Sequence, residues 1–284
     1  MRDEEVRAKA RKLRDLVEVV AASVYFLPEA HKAYNELGLP DFLPAYFTSR
    51  GACMGQVPGE MVVAAFGVFN PEMVIPAVDE GWSKTDRDSI LAARELGAVE
   101  GITRLAGPDP DGLARATEIL KRAGAAASGE GRALYSGLLS LGFPGSPIGD
   151  FWRAADLVRE HRGDSHIVAW VSHGLDPIEA TLTTELWWRL PLKSYVATRG
   201  WSPEQIDGAV DQLRDRGLME GDAFTQAGEN LRADIELCTD LQERSIVRAI
   251  GDDFEELCMI LTPIKDKLVA GEAYPVDPAN MTRP

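Results

Sequence analysis

The chain has 284 residues, 45% of them apolar, with 45 acidic against 30 basic side chains and a formal net charge of −15. That length and composition suit one large or two modest soluble domains, and the acidity argues against nucleic acid as a partner because it repels phosphate. No apolar run approaches the roughly 18–20 residues a membrane span needs, so no membrane association is expected.

The N-terminus "MRDEEVRAKARKLRDL" is charged and helical in pattern, without the apolar centre of a signal peptide, which predicts a cytoplasmic protein. Val6, Leu13, Val17 and Val20 recur at helical spacing and predict an amphipathic helix over 3–24. Further helices are predicted near 28–37, 41–49, 59–69, 84–106, 110–124, 130–141 and 150–161. Proline and glycine punctuate them, as in "GPDPDG" and "GFPGSPIGD". No alternating strand pattern precedes residue 218. Cys53, Cys238 and Cys258 are odd in number and widely spaced, which fits reduced thiols rather than a disulfide framework or a zinc cluster.

Two stretches run in parallel. "DFLPAYFTSRG" (41–51) resembles "DFWRAADLVREHRG" (150–163), and "MVVAAFGVFNPE" (61–72) resembles "IVAWVSHGLDPIE" (167–179). In the second pair each short apolar stretch is followed by Asn-Pro or Asp-Pro, a turn-and-restart signal. An internal duplication would put Arg50 and Arg162 in equivalent positions. Cys53 lies beside Arg50 in the glycine-rich "SRGACMGQVPGEM", with Glu60 in the next helical turn.

Residues 192–236, "LKSYVATRGWSPEQIDGAVDQLRDRGLMEGDAFTQAGENLRADIE", read as helix, turn, helix, short hairpin, helix. Ser202 is the expected N-cap, the following proline the first helical residue, and Ile206, Val210 and Leu213 the buried face. This frame resembles the winged helix-turn-helix of MarR-type regulators. With "YFTSRGACMGQVPGEMVVAAFGVFNPEMV" and "EHRGDSHIVAW" it resembles an actinobacterial family named only for its helix-turn-helix. The resemblance implies a regulator and, by analogy, a homodimer through residues 226–270. It brings no established reaction.

The expected fold is therefore mainly α. Helical units over 1–107 and 108–190 precede a winged-helix-like part over 191–270 with a small β-wing, and 271–284 form a tail. Charge opposes the DNA-binding half of the resemblance. Between Trp201 and Asp222 stand Glu204, Asp207, Asp211, Asp215, Glu220 and Asp222 against only Arg214 and Arg216, whereas a DNA-reading surface needs cations.

The densest chemistry lies in "EHRGDSHIVAWVSHG" (160–174). Asp164 or Ser165 is an expected N-cap of a new helix, with Arg162 just ahead of its free N–H groups. A cation beside a helix start suits a carboxylate or phosphate. His166, oriented by Asp164, could move a proton near neutral pH, and His161 is a second candidate. Arg50, Arg162, Trp170, His173, Glu60 and Trp188 would line the substrate site. The competing reading is purely structural: Asp164 caps, Arg162 pairs with Glu160 or Asp156, and the histidines bond to backbone groups. The spacing of the histidines matches no metal pair, and no nucleotide loop is present, so neither metal nor cofactor is implied.

Two functions follow. One is a cofactor-independent acid–base enzyme of bacterial specialised metabolism acting on an anionic small molecule. The other is a winged-helix regulator that senses a ligand, or a non-catalytic accessory in complex with another biosynthetic enzyme.

Overall fold

The computed structural model describes residues 2–275, so residues 276–284 of the expected tail lie outside the described residues. Helical periodicity carries through to a mainly α fold with one small hairpin among those residues. The first part runs α1 (Asp3–Ala22), α2 (Pro28–Glu36), α3 (Phe42–Gly51), α4 (Gly59–Phe66), α5 (Pro71–Lys84), α6 (Arg87–Ala106), α7 (Leu113–Ala125) and α8 (Ala133–Leu141). Then follow α9 (Pro147–Ser172), α10 (Pro177–Trp187), α11 (Pro203–Asp215), β1 (Met219–Glu220), β2 (Ala223–Phe224), α12 (Gln226–Gln242), α13 (Arg244–Ile250) and α14 (Phe254–Ala270).

Local chemistry sets most boundaries. Asn70 caps α5 by accepting from the Glu72 N–H at 2.9 Å, with Pro71 at the first position. The helix expected over 84–106 is α6, which starts at Arg87 because Asp86 caps it by accepting from Ser89 N–H, and the Asn-Pro restart begins a separate helix, α5, where none was expected. The helix expected over 59–69 stops at Phe66, where Gly67 turns to a φ of 74°. Asp176 builds the matching cap on α10, and its reciprocal bond with Glu179 completes a capping box.

The predicted break near Gly163 does not occur: α9 runs unbroken for 26 residues. A glycine inside a helix costs only about 1 kcal/mol, and residues 151–165 of α9 are all buried or half-buried. Asp164 is therefore not the N-cap of its own helix, and Arg162 faces no helix start. The parallel between 41–72 and 150–179 holds at the Asn-Pro and Asp-Pro caps. It fails between them, where the first copy breaks at 55–58 and the second does not.

Three apolar cores result, and α9 reaches all of them. The largest joins α1, α2, α6, α7, α13 and α14 around Phe151, Trp152 and Val158 of α9. A second joins α3, α4, α5 and α8 and receives Leu157. The third is the helix-turn-helix core, where Ile206, Val210 and Leu213 of α11 meet Ala169 and Trp170. Its leading helix is α10 rather than a helix from 192, since 196–199 form only a single 3-10 turn. Ser202 and Gln205 make the capping box of α11. β1 and β2 pair antiparallel, Met219 with Phe224 and Glu220 with Ala223, as a two-residue wing.

One face of α14 packs inside the chain: its Leu257, Leu261, Ile264 and Leu268 belong to the largest core. The start of the expected tail is also packed. Ala273 is buried, and the Tyr274 hydroxyl donates to Glu18 Oε1 at 3.0 Å.

Candidate functional site

Successive residues of a helix are roughly 100° apart, so the polar side chains of α9 fall into three stripes around its circumference. Asp156, Glu160 and Asp164 form the first. Asp156 Oδ2 accepts from Arg94 Nη2 at 3.0 Å, and the same nitrogen donates to the Tyr25 hydroxyl at 3.1 Å. Glu160 accepts from both arms of Arg50, Nε at 2.9 Å and Nη2 at 2.8 Å, and from Arg159 at 2.5 Å. Burial works to raise the Glu160 carboxyl, but Arg50 and Arg159 outweigh it and hold the group at about 2.

Asp164 does cap a helix, but not its own. Its Oδ2 accepts from the Tyr135 N–H at 2.9 Å, closing the first turn of α8 from across the interface. Burial lifts its carboxyl to about 7, against the lowering effect of that bond.

His161 and Ser165 form the second stripe. His161 Nδ1 lies 2.7 Å from Glu243 Oε1, and its ring stands edge-on to Tyr135 with centroids 5.0 Å apart. Ser165 Oγ accepts from Arg132 Nε at 2.9 Å and donates to the His161 carbonyl at 2.7 Å.

Arg162 and His166 face α12. Arg162 Nη2 donates to Asp240 at 2.8 Å and reaches Glu236 at 3.5 Å, so its partners are neither Glu160 nor Asp156. His166 Nδ1 lies 3.0 Å from Thr239 Oγ1. The threonine hydroxyl already donates to the Ile235 carbonyl at 2.7 Å, so it accepts here and the neutral imidazole carries its proton on Nδ1. Burial, then the charges of Arg232 and Arg162, push His166 down to about 3.

The expected site residues therefore divide. Arg50 binds Glu160, two positions and about 200° of helix away from Arg162, so the two guanidiniums sit on opposite sides of α9. Trp170 is buried in the helix-turn-helix core against Gly67. His173 ends α9 with Nδ1 2.8 Å from the Ala169 carbonyl. Glu60 is exposed on the first turn of α4. Trp188 ends α10 with its ring 5.8 Å from that of Tyr195. Cys53 is buried and its thiol is pushed up to about 12, which makes it unreactive. Among the described residues no group of three or more His, Cys, Asp or Glu is arranged to hold a metal.

A cavity of about 140 Å³ opens beside Asp164. Met61, Ala64, Ala65, Gly131, Ala133 and Ile167 complete its lining, and Asp164 is the one expected site residue in it. Sequence reasoning missed the partners Arg94, Tyr135, Glu243, Thr239 and Asp240, which lie far away in sequence. The one available signal was the i, i+4, i+8 spacing of Asp156, Glu160 and Asp164.

The outer face of the helix-turn-helix is acidic in space as well as in sequence. Glu204, Asp207, Asp211 and Asp215 are exposed on α11. Arg214 donates to Asp211 at 3.1 Å and to Asp222 at 3.3 Å. Arg216 donates to Glu179 at 2.7 Å, and Lys193 to Asp207 at 2.5 Å. No described helix is long and apolar enough to cross a membrane.

No curated protein and no solved structure matches the chain. The Helix-turn-helix family matches it over residues 10–275, which takes in α9 and the α10–α12 unit alike, and the chain belongs to that family.

Proposed function

We propose that the chain acts as a non-catalytic accessory or regulatory protein whose winged-helix face binds a protein with a basic surface, not DNA. The observation that carries this reading is the charge state of α11 and the wing. Four carboxylates are exposed on the helix, and Arg214 and Arg216 are both engaged by carboxylates of the same chain. DNA affinity rests on cations that displace counterions from phosphate, and a complementary potential steers a protein partner to such a face. The acid–base alternative draws less support, since Arg50 and Arg162 are both neutralised by carboxylates and His166 is held far below neutral pH.

Two measurements test it. Fluorescence anisotropy with a DNA duplex at low salt is expected to show no saturable binding, and tight binding that weakens with salt would overturn the reading. Cross-linking in the native host is then compared between wild type and Glu204→Lys/Asp207→Lys/Asp211→Lys/Asp215→Lys. A cross-linked partner lost in the variant at unchanged melting temperature is the expected result. A partner set identical in both chains would remove α11 from the interface.

A further inference from the structure

We propose that the cavity beside Asp164 is a binding site for a small primary amine in its ammonium form. Nothing in this inference depends on the role of α11.

Size comes first. The cavity measures about 140 Å³, close to the roughly 150 Å³ of an apolar protein cavity that accepts benzene. A ligand of butylamine or benzylamine size fits that volume. Its hydrocarbon body would lie against Met61, Ala64, Ala65, Ala133 and Ile167, which offer methyl and methylene groups. Met61 is half exposed at this site, and an unbranched thioether adapts its shape to a guest.

Charge decides the class. Asp164 is the single ionisable group in the lining. The nearby arginines are turned elsewhere: Arg50 is held by Glu160, and Arg132 donates to Ser165, Gln242 and the Ser128 and Glu130 carbonyls. An entering carboxylate would meet Asp164 with no cation to offset it. The positive end of α8, which could otherwise attract an anion, already has Asp164 on its Tyr135 N–H. A carboxylate offers about four acceptor positions, so the cap leaves acceptor capacity for an ammonium group, whose bond to an ionised oxygen is of the strong, charge-assisted kind. Burial keeps Asp164 partly protonated near neutral pH, so ammonium binding would ionise it and release a proton.

Isothermal titration calorimetry and melting curves of the full chain would use n-butylamine and benzylamine, with 1-butanol and butyrate as neutral and anionic counterparts. Both amines are expected to bind and raise the melting temperature, while butanol binds at least about tenfold more weakly and butyrate not at all. Asp164→Asn keeps an acceptor for Tyr135 and is expected to lose amine binding. Ala64→Phe fills the cavity from its mouth and is expected to lose it with Asp164 intact. Titrations in buffers of different ionisation enthalpy should report proton release with the amines alone. Equal binding of butanol and butylamine, no binding of either amine to the folded wild type, or amine binding retained in both variants would each overturn the site.

Discussion

Arg50 Nε and Nη2 meet the two oxygens of Glu160 at 2.9 and 2.8 Å, a two-pronged ion pair across 110 residues of sequence. Arg50 is mostly covered and Glu160 is buried, so each charge depends on the other for the solvation that water would supply. Arg50→Met should lower the unfolding free energy by about 3–5 kcal/mol, because it leaves a buried carboxylate short of its main partner. The double variant Arg50→Met/Glu160→Met should recover much of that loss. Urea denaturation of the three proteins measures both. A single variant as stable as wild type would show that Arg159 alone satisfies Glu160.

Asp164 and His166 pull stability in opposite directions with pH. The folded state raises Asp164 to about 7, so between its unfolded value and pH 7 the folded chain holds the extra proton and stability falls as pH rises. The fold lowers His166 to about 3, so from there to its unfolded value of about 6.5 the unfolded chain holds the extra proton and stability rises with pH. The two slopes oppose each other over about pH 4–6.5 in the wild type. Asp164→Asn should expose the rising slope in that window, and His166→Gln should expose the falling one. Parallel stability profiles for the two variants would refute the opposing assignments.

Gly67 tests how tightly the helix-turn-helix is joined to α4. Its φ is 74°, and an added Cβ would stand 3.0 Å from the Trp170 ring. Gly67→Ala is expected to cost about 1–3 kcal/mol from backbone strain and overpacking together. It should also shift tryptophan fluorescence, which Trp170→Phe in the same background would suppress. An unchanged spectrum and melting temperature would mean that the junction yields freely.

The caps were legible, since Asn70-Pro71, Asp176-Pro177 and Ser202-Pro203 each encode a helix start within four residues. So were the buried positions Ile206, Val210 and Leu213, which follow helical periodicity. The polar cluster at 160–174 was visible as a cluster but not as an arrangement. Glycine at 163 looked like a break because local propensity was the only guide, whereas burial from three sides keeps α9 intact. Asp164 was recognisable as a cap, yet the helix it caps begins some thirty residues earlier. Partners such as Thr239 and Asp240 come from α12, and no local rule links them to His166 and Arg162.

The C-terminal end makes a prediction of its own. Tyr274 donates to Glu18, which also takes Arg159, and its ring stands edge-on to Phe26. Tyr274→Phe should cost about 1 kcal/mol, the net worth of one hydrogen bond to a partly buried acceptor. Deletion from residue 272 onward should cost more, because Ala273 leaves the main core as well. Thermal unfolding of the two variants separates the contributions, and a deletion with no effect would show that the segment is ornamental.

At 1.5 Å per residue, α9 is a rod of about 39 Å, and its two ends belong to different cores. A gene fragment starting at α10 would encode a winged helix stripped of Ala169 and Trp170, and one ending at α8 would encode bundles without their axle. This helix-turn-helix is therefore no transferable cassette. Moved to another protein, it would carry an apolar gap where Ala169 and Trp170 belong, so the reach of α9 ties its integrity to the bundle beneath it.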